Sequence, residues 1–81
     1  MILDLFELSQ AEDAQAYLKA VLPLPAWYGN NLDALYDCAC AWHDVALTVL
    51  HPDTAGYAQA VLTVLRDAAA ENPSFVLTEK L

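Results

Sequence analysis

The chain predicts an α/β fold, a small three-stranded parallel sheet with helices packed against it, and three observations carry that expectation. Val45-Ala46-Leu47-Thr48-Val49-Leu50 is a continuous apolar run rich in β-branched residues, the pattern of a strand covered on both faces. On either side of it, apolar residues recur at helical spacing, from Ala14 to Leu22 and from Tyr57 to Ala68. Short apolar stretches near the two ends, Met1 to Leu8 and Ser74 to Thr78, complete an alternation of strands and helices. Such alternation is the mark of a parallel sheet.

Met1 to Leu8 alternates imperfectly, with Ile2, Leu3, Leu5 and Phe6 broken by Asp4 and Glu7, and its length suits the first strand. Ser9-Gln10-Ala11-Glu12 has the capping-box form, so a helix is expected to start there, Ser9 accepting from a backbone N–H and Glu12 reaching back. Ala14, Tyr17, Leu18, Val21 and Leu22 give that helix its apolar stripe, and Pro23 ends it. The connection Leu22-Pro23-Leu24-Pro25 is stiff, because each proline fixes its own φ and pushes the preceding residue out of the helical region.

Trp27 and Tyr28 follow, then Gly29, Asn30 and Asn31, residues that tolerate left-handed backbone; Asn31 reads as an N-cap. From Leu32 the spacing is helical, with Leu32, Leu35, Cys38, Ala39 and Trp42 on one apolar side and Asp33, Tyr36, Asp37 and Cys40 opposite. After the central strand, His51 to Gly56 is turn-rich, and Tyr57, Val61, Val64, Leu65 and Ala68 mark a last long helix, whose apolar stripe makes Tyr57 a core residue rather than a ligand contact. Asn72-Pro73 stops it, Ser74 to Thr78 is the final strand, and Glu79-Lys80-Leu81 is expected to fray.

Eighty-one residues suit a single domain spanning 1–81. A hydrophobic fraction of 58% separates the chain from disordered acidic tails despite a net charge of −8. Eleven acidic residues face three basic ones, Lys19, Arg66 and Lys80, so the whole stretch between Lys19 and Arg66 is anionic. That field repels phosphate backbones and draws cationic proteins, which disfavours nucleic acid and favours a basic protein partner. Cys38 and Cys40 point to different sides of one helix and read as reduced thiols; together with the lack of a leader-like or membrane-spanning apolar run, they suggest a cytoplasmic protein that binds no membrane.

Catalysis finds little support. His43 and His51 lack zinc-ligand spacing with either cysteine, and there is no glycine-rich phosphate loop, nucleophile elbow or Ser-His-Asp arrangement. A divalent cation held by Asp33, Asp37 and Asp67 is the weakest reading, so neither cofactor nor metal is expected. The informative feature is instead Asp33 and Asp37, two carboxylates at i and i+4 that repel each other. The helix dipole rewards Asp33 in the first turn but hardly reaches Asp37. With Trp27, Tyr28 and Tyr36 beside them, they read as a negatively charged, aromatic binding surface.

The segment Leu24-Pro25-Ala26-Trp27-Tyr28-Gly29-Asn30-Asn31-Leu32-Asp33-Ala34-Leu35-Tyr36-Asp37-Cys38 resembles the signature of the barstar family of ribonuclease inhibitors, and a weaker likeness extends over nearly the whole chain. The resemblance implies three parallel strands with helices packed on them. It also implies inhibition, in a 1:1 complex, of a small, basic, secreted ribonuclease of the barnase type, whose active site the loop and helix plug by imitating RNA. Asp37 then takes the place of a substrate phosphate, Asp33 pairs with basic side chains at the rim, and Trp27 falls where the family has a tyrosine that packs on the enzyme's histidine. Tyr36 falls where barstar has tryptophan. Gly29 and Asn31 match loop positions of close approach, Leu32 and Ala34 add contact area, and Asp67 falls on a contacting glutamate of the last helix, one methylene shorter.

The chain departs from the family at Asn30, where barstar has glutamate, and at Cys40 and Ala41, which replace a hydroxyl residue and a glycine. The stretch from His51 to Gly56 is too short for an additional short helix that barstar carries. These differences leave open a different basic protein, or a toxin of another chemistry, as the partner of the same acidic face.

Overall fold

The computed structural model describes residues 1–81 and runs β1 (Ile2–Asp4), α1 (Leu5–Gln10), α2 (Ala14–Val21), α3 (Leu32–Cys40), β2 (Val45–Leu50), α4 (Tyr57–Glu71) and β3 (Phe75–Lys80). The three strands form one parallel sheet in the order β1-β2-β3. Its register sets Leu3 beside Val49, and Val45 and Leu47 beside Phe75 and Leu77. The expected α/β class and the parallel three-stranded sheet are both present.

The amino-terminal boundaries differ from those read in the sequence. Residues 1–8 are not one strand: Asp4 ends β1 after three residues by capping α1, its carboxylate accepting from the amides of Phe6 at 2.9 Å and Glu7 at 3.3 Å. A carboxylate that satisfies two otherwise orphaned N–H groups outweighs the imperfect alternation. The Ser9–Glu12 capping box is absent for the same reason. Ser9 lies inside α1 and donates to the Phe6 carbonyl at 2.7 Å, while Asp13 caps α2 through the amides of Gln15 and Ala16.

At the other end β3 extends to Lys80 instead of fraying after Thr78. Glu79 is held by two hydrogen bonds from the Arg66 guanidinium on α4, from Nε at 2.8 Å and Nη2 at 2.6 Å. Paired planar groups of this kind combine geometry with charge. The connection from His51 to Gly56 forms a turn, with Thr54 N–H donating to the His51 carbonyl and His51 itself in left-handed backbone at φ 54°.

The core lies between the sheet and the helices. Leu3, Leu47, Val49 and Phe75 from the strands meet Leu5, Leu8, Leu18, Leu35, Val61, Leu62 and Leu65 from the helices. The opposite face of the sheet is open, with Ile2 60% and Val76 58% exposed and Ala46 exposed between them. The strand Val45–Leu50 is therefore covered on one face, not on both. Strands laid down in sequence order by crossovers of one hand bring every helix to the same side, which is why no helix reaches the second face.

Candidate functional site

The loop between α2 and α3 is built on an alternation of anchors. Trp42 donates its indole N–H to the Pro23 carbonyl at 3.2 Å while its ring meets Phe75 edge-on at 4.9 Å, so the proline connection is tied to the core at its start. A turn follows, closed by Tyr28 N–H to the Pro25 carbonyl at 3.0 Å. It sends consecutive aromatics in opposite directions. Tyr28 is 4% exposed, whereas Trp27 is 75% exposed. The sequence grouped both in one surface patch; Tyr28 instead is an anchor, and burial pushes its hydroxyl up to about 12.

Asn30 takes the left-handed turn at φ 57°, not Gly29. At Gly29 an added Cβ would meet Ala34 Cβ and Asn31 Nδ2 at 3.4 Å, an ordinary contact, so the fold itself does not demand a bare backbone there. Asn31 caps α3 as expected: its Oδ1 accepts from Ala34 N–H at 2.8 Å, and its Nδ2 donates to the Gly29 carbonyl at 3.2 Å. The residue that starts the helix therefore also fixes the loop.

Along α3 the wheel holds. Leu35, Cys38 and Ala39 are buried, and Asp33 and Asp37 are exposed on the opposite side. Leu32, Ala34, Tyr36 and Cys40 are half-buried along the flanks. Asp33 and Asp37, four residues apart, lie one above the other. Burial pushes the Cys38 thiol up, with Asp37 adding to the effect. Cys40, one helical turn on, raises the Tyr36 hydroxyl above its usual range.

Glu71 and Asp67, exposed on the α4 that packs against α3, add to that rise. Asp67 is the residue that the family resemblance marks in the sequence as a contact. Glu71 was missed there; it lies one helical turn after Asp67, the signal that could have found it. The carboxyl end of α3 is locked to α4 by Asn72, whose Nδ2 donates to the carbonyls of Ala39 at 3.0 Å and Trp42 at 2.8 Å.

Two concavities flank this surface. Beside the proline loop, Pro23, Pro25, Trp27, Cys38, Ala41 and Trp42 line a small, largely apolar recess of about 170 Å³. On the other side an open groove of about 740 Å³ runs between α2, the loop and α4, bordered by Glu12, Asp13, Asn30, Asp33 and Tyr57. Tyr57, read as a core residue from its place in an apolar stripe, stands exposed in this groove, because its hydroxyl accepts a hydrogen bond from Gln15 Nε2 at 2.6 Å. No three His, Cys, Asp or Glu side chains gather where they could hold a metal ion, and Asp33, Asp37 and Asp67 form no such group.

His43 and His51 are exposed, and His51 has a partner in Asp4 at 2.8 Å. No helix is long and apolar enough to cross a membrane. The arrangement as a whole is an acidic, aromatic face on a braced loop and helix, suited to docking against a positively charged surface.

Comparison with known proteins agrees with that geometry. The profile of the family described as "Barstar (barnase inhibitor)" matches residues 1–78. A Bacillus subtilis (strain 168) protein named "Putative ribonuclease inhibitor YrdF" is 39% identical over 61 residues, covering 67% of each chain.

Proposed function

Since this chain belongs to the barstar family, we propose that it is a ribonuclease inhibitor, acting in the cytoplasm as a one-to-one plug for the active site of a basic, secreted, barnase-type enzyme. The observation that carries the reading is the exposure of Asp33 and Asp37 together on the outer side of α3, edged by the exposed Trp27 and beside a packed α4 that exposes Asp67 and Glu71. None of the three basic side chains belongs to α3 or its loop. The name of the Bacillus subtilis relative points the same way. The protein performs no reaction of its own and needs no cofactor.

Asp37 is the substitute for a substrate phosphate and receives charge-assisted hydrogen bonds from the enzyme's basic residues. Asp33 and Asp67 pair at the rim, Trp27 and Tyr36 supply flat contact surface, and Leu32, Ala34 and Cys40 fill space around them. Gly29, with no internal demand for a bare backbone, allows the enzyme to approach the loop. Asn31 keeps the loop in position for it.

The test is RNA cleavage by a barnase-type ribonuclease titrated with the parent and with Asp37→Ala. The parent is expected to give a sharp equimolar endpoint, and the variant to lose it while keeping its thermal midpoint. Removing one side of a desolvated charge cluster strands the partner's cations, so the loss of affinity should reach at least about a hundredfold. Equal inhibition by parent and variant would remove Asp37 from its role. No inhibition by the parent would shift the acidic face to a basic partner of another chemistry.

A further inference from the structure

We infer that Gln15 and Tyr57 are positioning residues for the partner-binding loop, holding Tyr28 through a hydrogen-bonded chain that ties the loop to α2 and α4. The inference rests on the partner-binding reading above. Tyr28 donates its hydroxyl proton to Gln15 Oε1 at 2.7 Å, and Gln15 Nε2 donates to the Tyr57 hydroxyl at 2.6 Å. One amide side chain therefore links residues from the loop and from two helices. Its two ends are used in the only way an amide allows, oxygen accepting and nitrogen donating. The high pKa of the Tyr28 hydroxyl keeps the donated proton in place.

The loop has reason to need this brace. From Ala26 to Asn30 its only backbone hydrogen bond outside regular elements is the one that closes the turn at Tyr28, and Asn30 sits in left-handed backbone that a side-chain-bearing residue adopts at a cost. Tyr28 is the buried member of the segment, with Trp27 and Gly29 exposed on either side of it. Whatever fixes Tyr28 thus fixes the direction of Trp27 and the path of Gly29. Loosening Tyr28 would lower the fraction of molecules whose loop is ready to bind, and binding would weaken by that fraction. The effect falls on association, because the ready fraction multiplies the rate at which complexes form.

The test compares Tyr57→Phe, Gln15→Met and Gln15→Glu in complexes with a barnase-type ribonuclease. Tyr57→Phe breaks the chain at one bond and Gln15→Met at both, and the complexes should form about three- to tenfold more slowly. Gln15→Glu should restore the parent rate, since a carboxylate accepts from both hydroxyls once the Tyr57 proton turns toward it. In a Tyr28→Phe background, Tyr57→Phe should add nothing, because both act through one connection.

A merely structural brace would lower the thermal midpoint and leave association unchanged, and additive losses would make Tyr57 a direct contact; either result overturns the inference. If the parent binds no such ribonuclease, the partner reading fails, and hydrogen exchange in the free protein still decides the brace. Tyr57→Phe should speed exchange at the Tyr28 and Ala34 amides about tenfold, the scale of one lost hydrogen bond. Unchanged exchange at both amides overturns the brace.

Discussion

Asn72→Ala is expected to lower the stability of the free protein by about 3 kcal/mol, far more than its position at the end of a helix suggests. Asn72 is 8% exposed, and its side chain makes three hydrogen bonds: Nδ2 to the carbonyls of Ala39 and Trp42, and Oδ1 from Ser74 N–H at 2.9 Å. Alanine removes all three. Where α3 ends against α4, the Trp42 carbonyl becomes a buried orphan at about 1–3 kcal/mol, whereas the Ala39 carbonyl still accepts from Trp42 N–H at 3.3 Å and loses one bond worth about 0.5–1.5 kcal/mol. The Ser74 amide, being only partly buried, can turn to water. One orphan and two lost bonds, those of Ala39 and Ser74, thus set a range of about 2–6 kcal/mol, and local relaxation puts the expected value in its lower half.

Urea unfolding followed by tryptophan fluorescence would show the midpoint falling with an unchanged slope. Calorimetry would show the thermal midpoint falling by roughly 12–24 °C, at about 4–8 °C per kcal/mol for a domain of this size. Asn72→Asp keeps an acceptor for Ser74 but turns a carboxylate toward two carbonyls, so it should destabilise at least as much. A loss under about 1 kcal/mol for Asn72→Ala, at constant slope, would refute the argument that Asn72 sets the junction of α3 and α4.

The remaining expectations concern the core and two titrations. Leu35→Ala, at a site with no exposure, should cost about 2–5 kcal/mol in chemical unfolding, while the folded remainder still presents Asp33 and Asp37. The hydrogen bond with His51 holds the Asp4 carboxyl below its ordinary 3.8, and the guanidinium of Arg66 holds Glu79 below its ordinary 4.5. Both groups have depressed folded values, so their contributions are complete above the unfolded values and are lost as pH falls through the folded ones; acid unfolding should begin below about pH 4.5, and Asp4→Asn should flatten the lower part of that profile. Tyr28 has the opposite sign: its contribution is complete below 10.0 and declines as pH rises toward about 12, so ultraviolet titration should show, beside the raised Tyr36, a tyrosine step near 12 that Tyr28→Phe removes.

The parts of the fold legible in the sequence were those encoded by periodicity and by local capping. Asn31, the wheel from Leu32 to Ala39 and the β-branched run from Val45 to Leu50 each act within a few residues, and all appear where expected. The amino terminus was misread because two capping signals competed. Asp4 followed by Glu7 three residues later has the same form as Ser9 followed by Glu12, and the earlier one is used. Glu79, Tyr57 and Tyr28 were misplaced for another reason. Their partners, Arg66 and Gln15, are 13 to 42 residues distant, and no local pattern announces a hydrogen bond across that span.

The same limit explains what could be read of the site. Asp33 and Asp37 declared themselves because they repel at i and i+4, a local conflict with helix stability that the chain keeps. Asp67 and Glu71 come near this helix only because α4 packs on α3, so the charge they add there is a tertiary property. Each added carboxylate raises the repulsion within the folded state, and the resistance to it must come from the opposite side of the same helix, where Leu35, Cys38 and Ala39 are buried. Because stability and charge lie on opposite sides of α3, their losses should separate in experiment: an inner-face substitution lowers the thermal midpoint, whereas relieving repulsion at Asp33 or Asp37 should leave it unchanged or raise it. An acidic residue that weakens the fold while strengthening association is the behaviour expected of a surface shaped for a cationic partner rather than for the free protein.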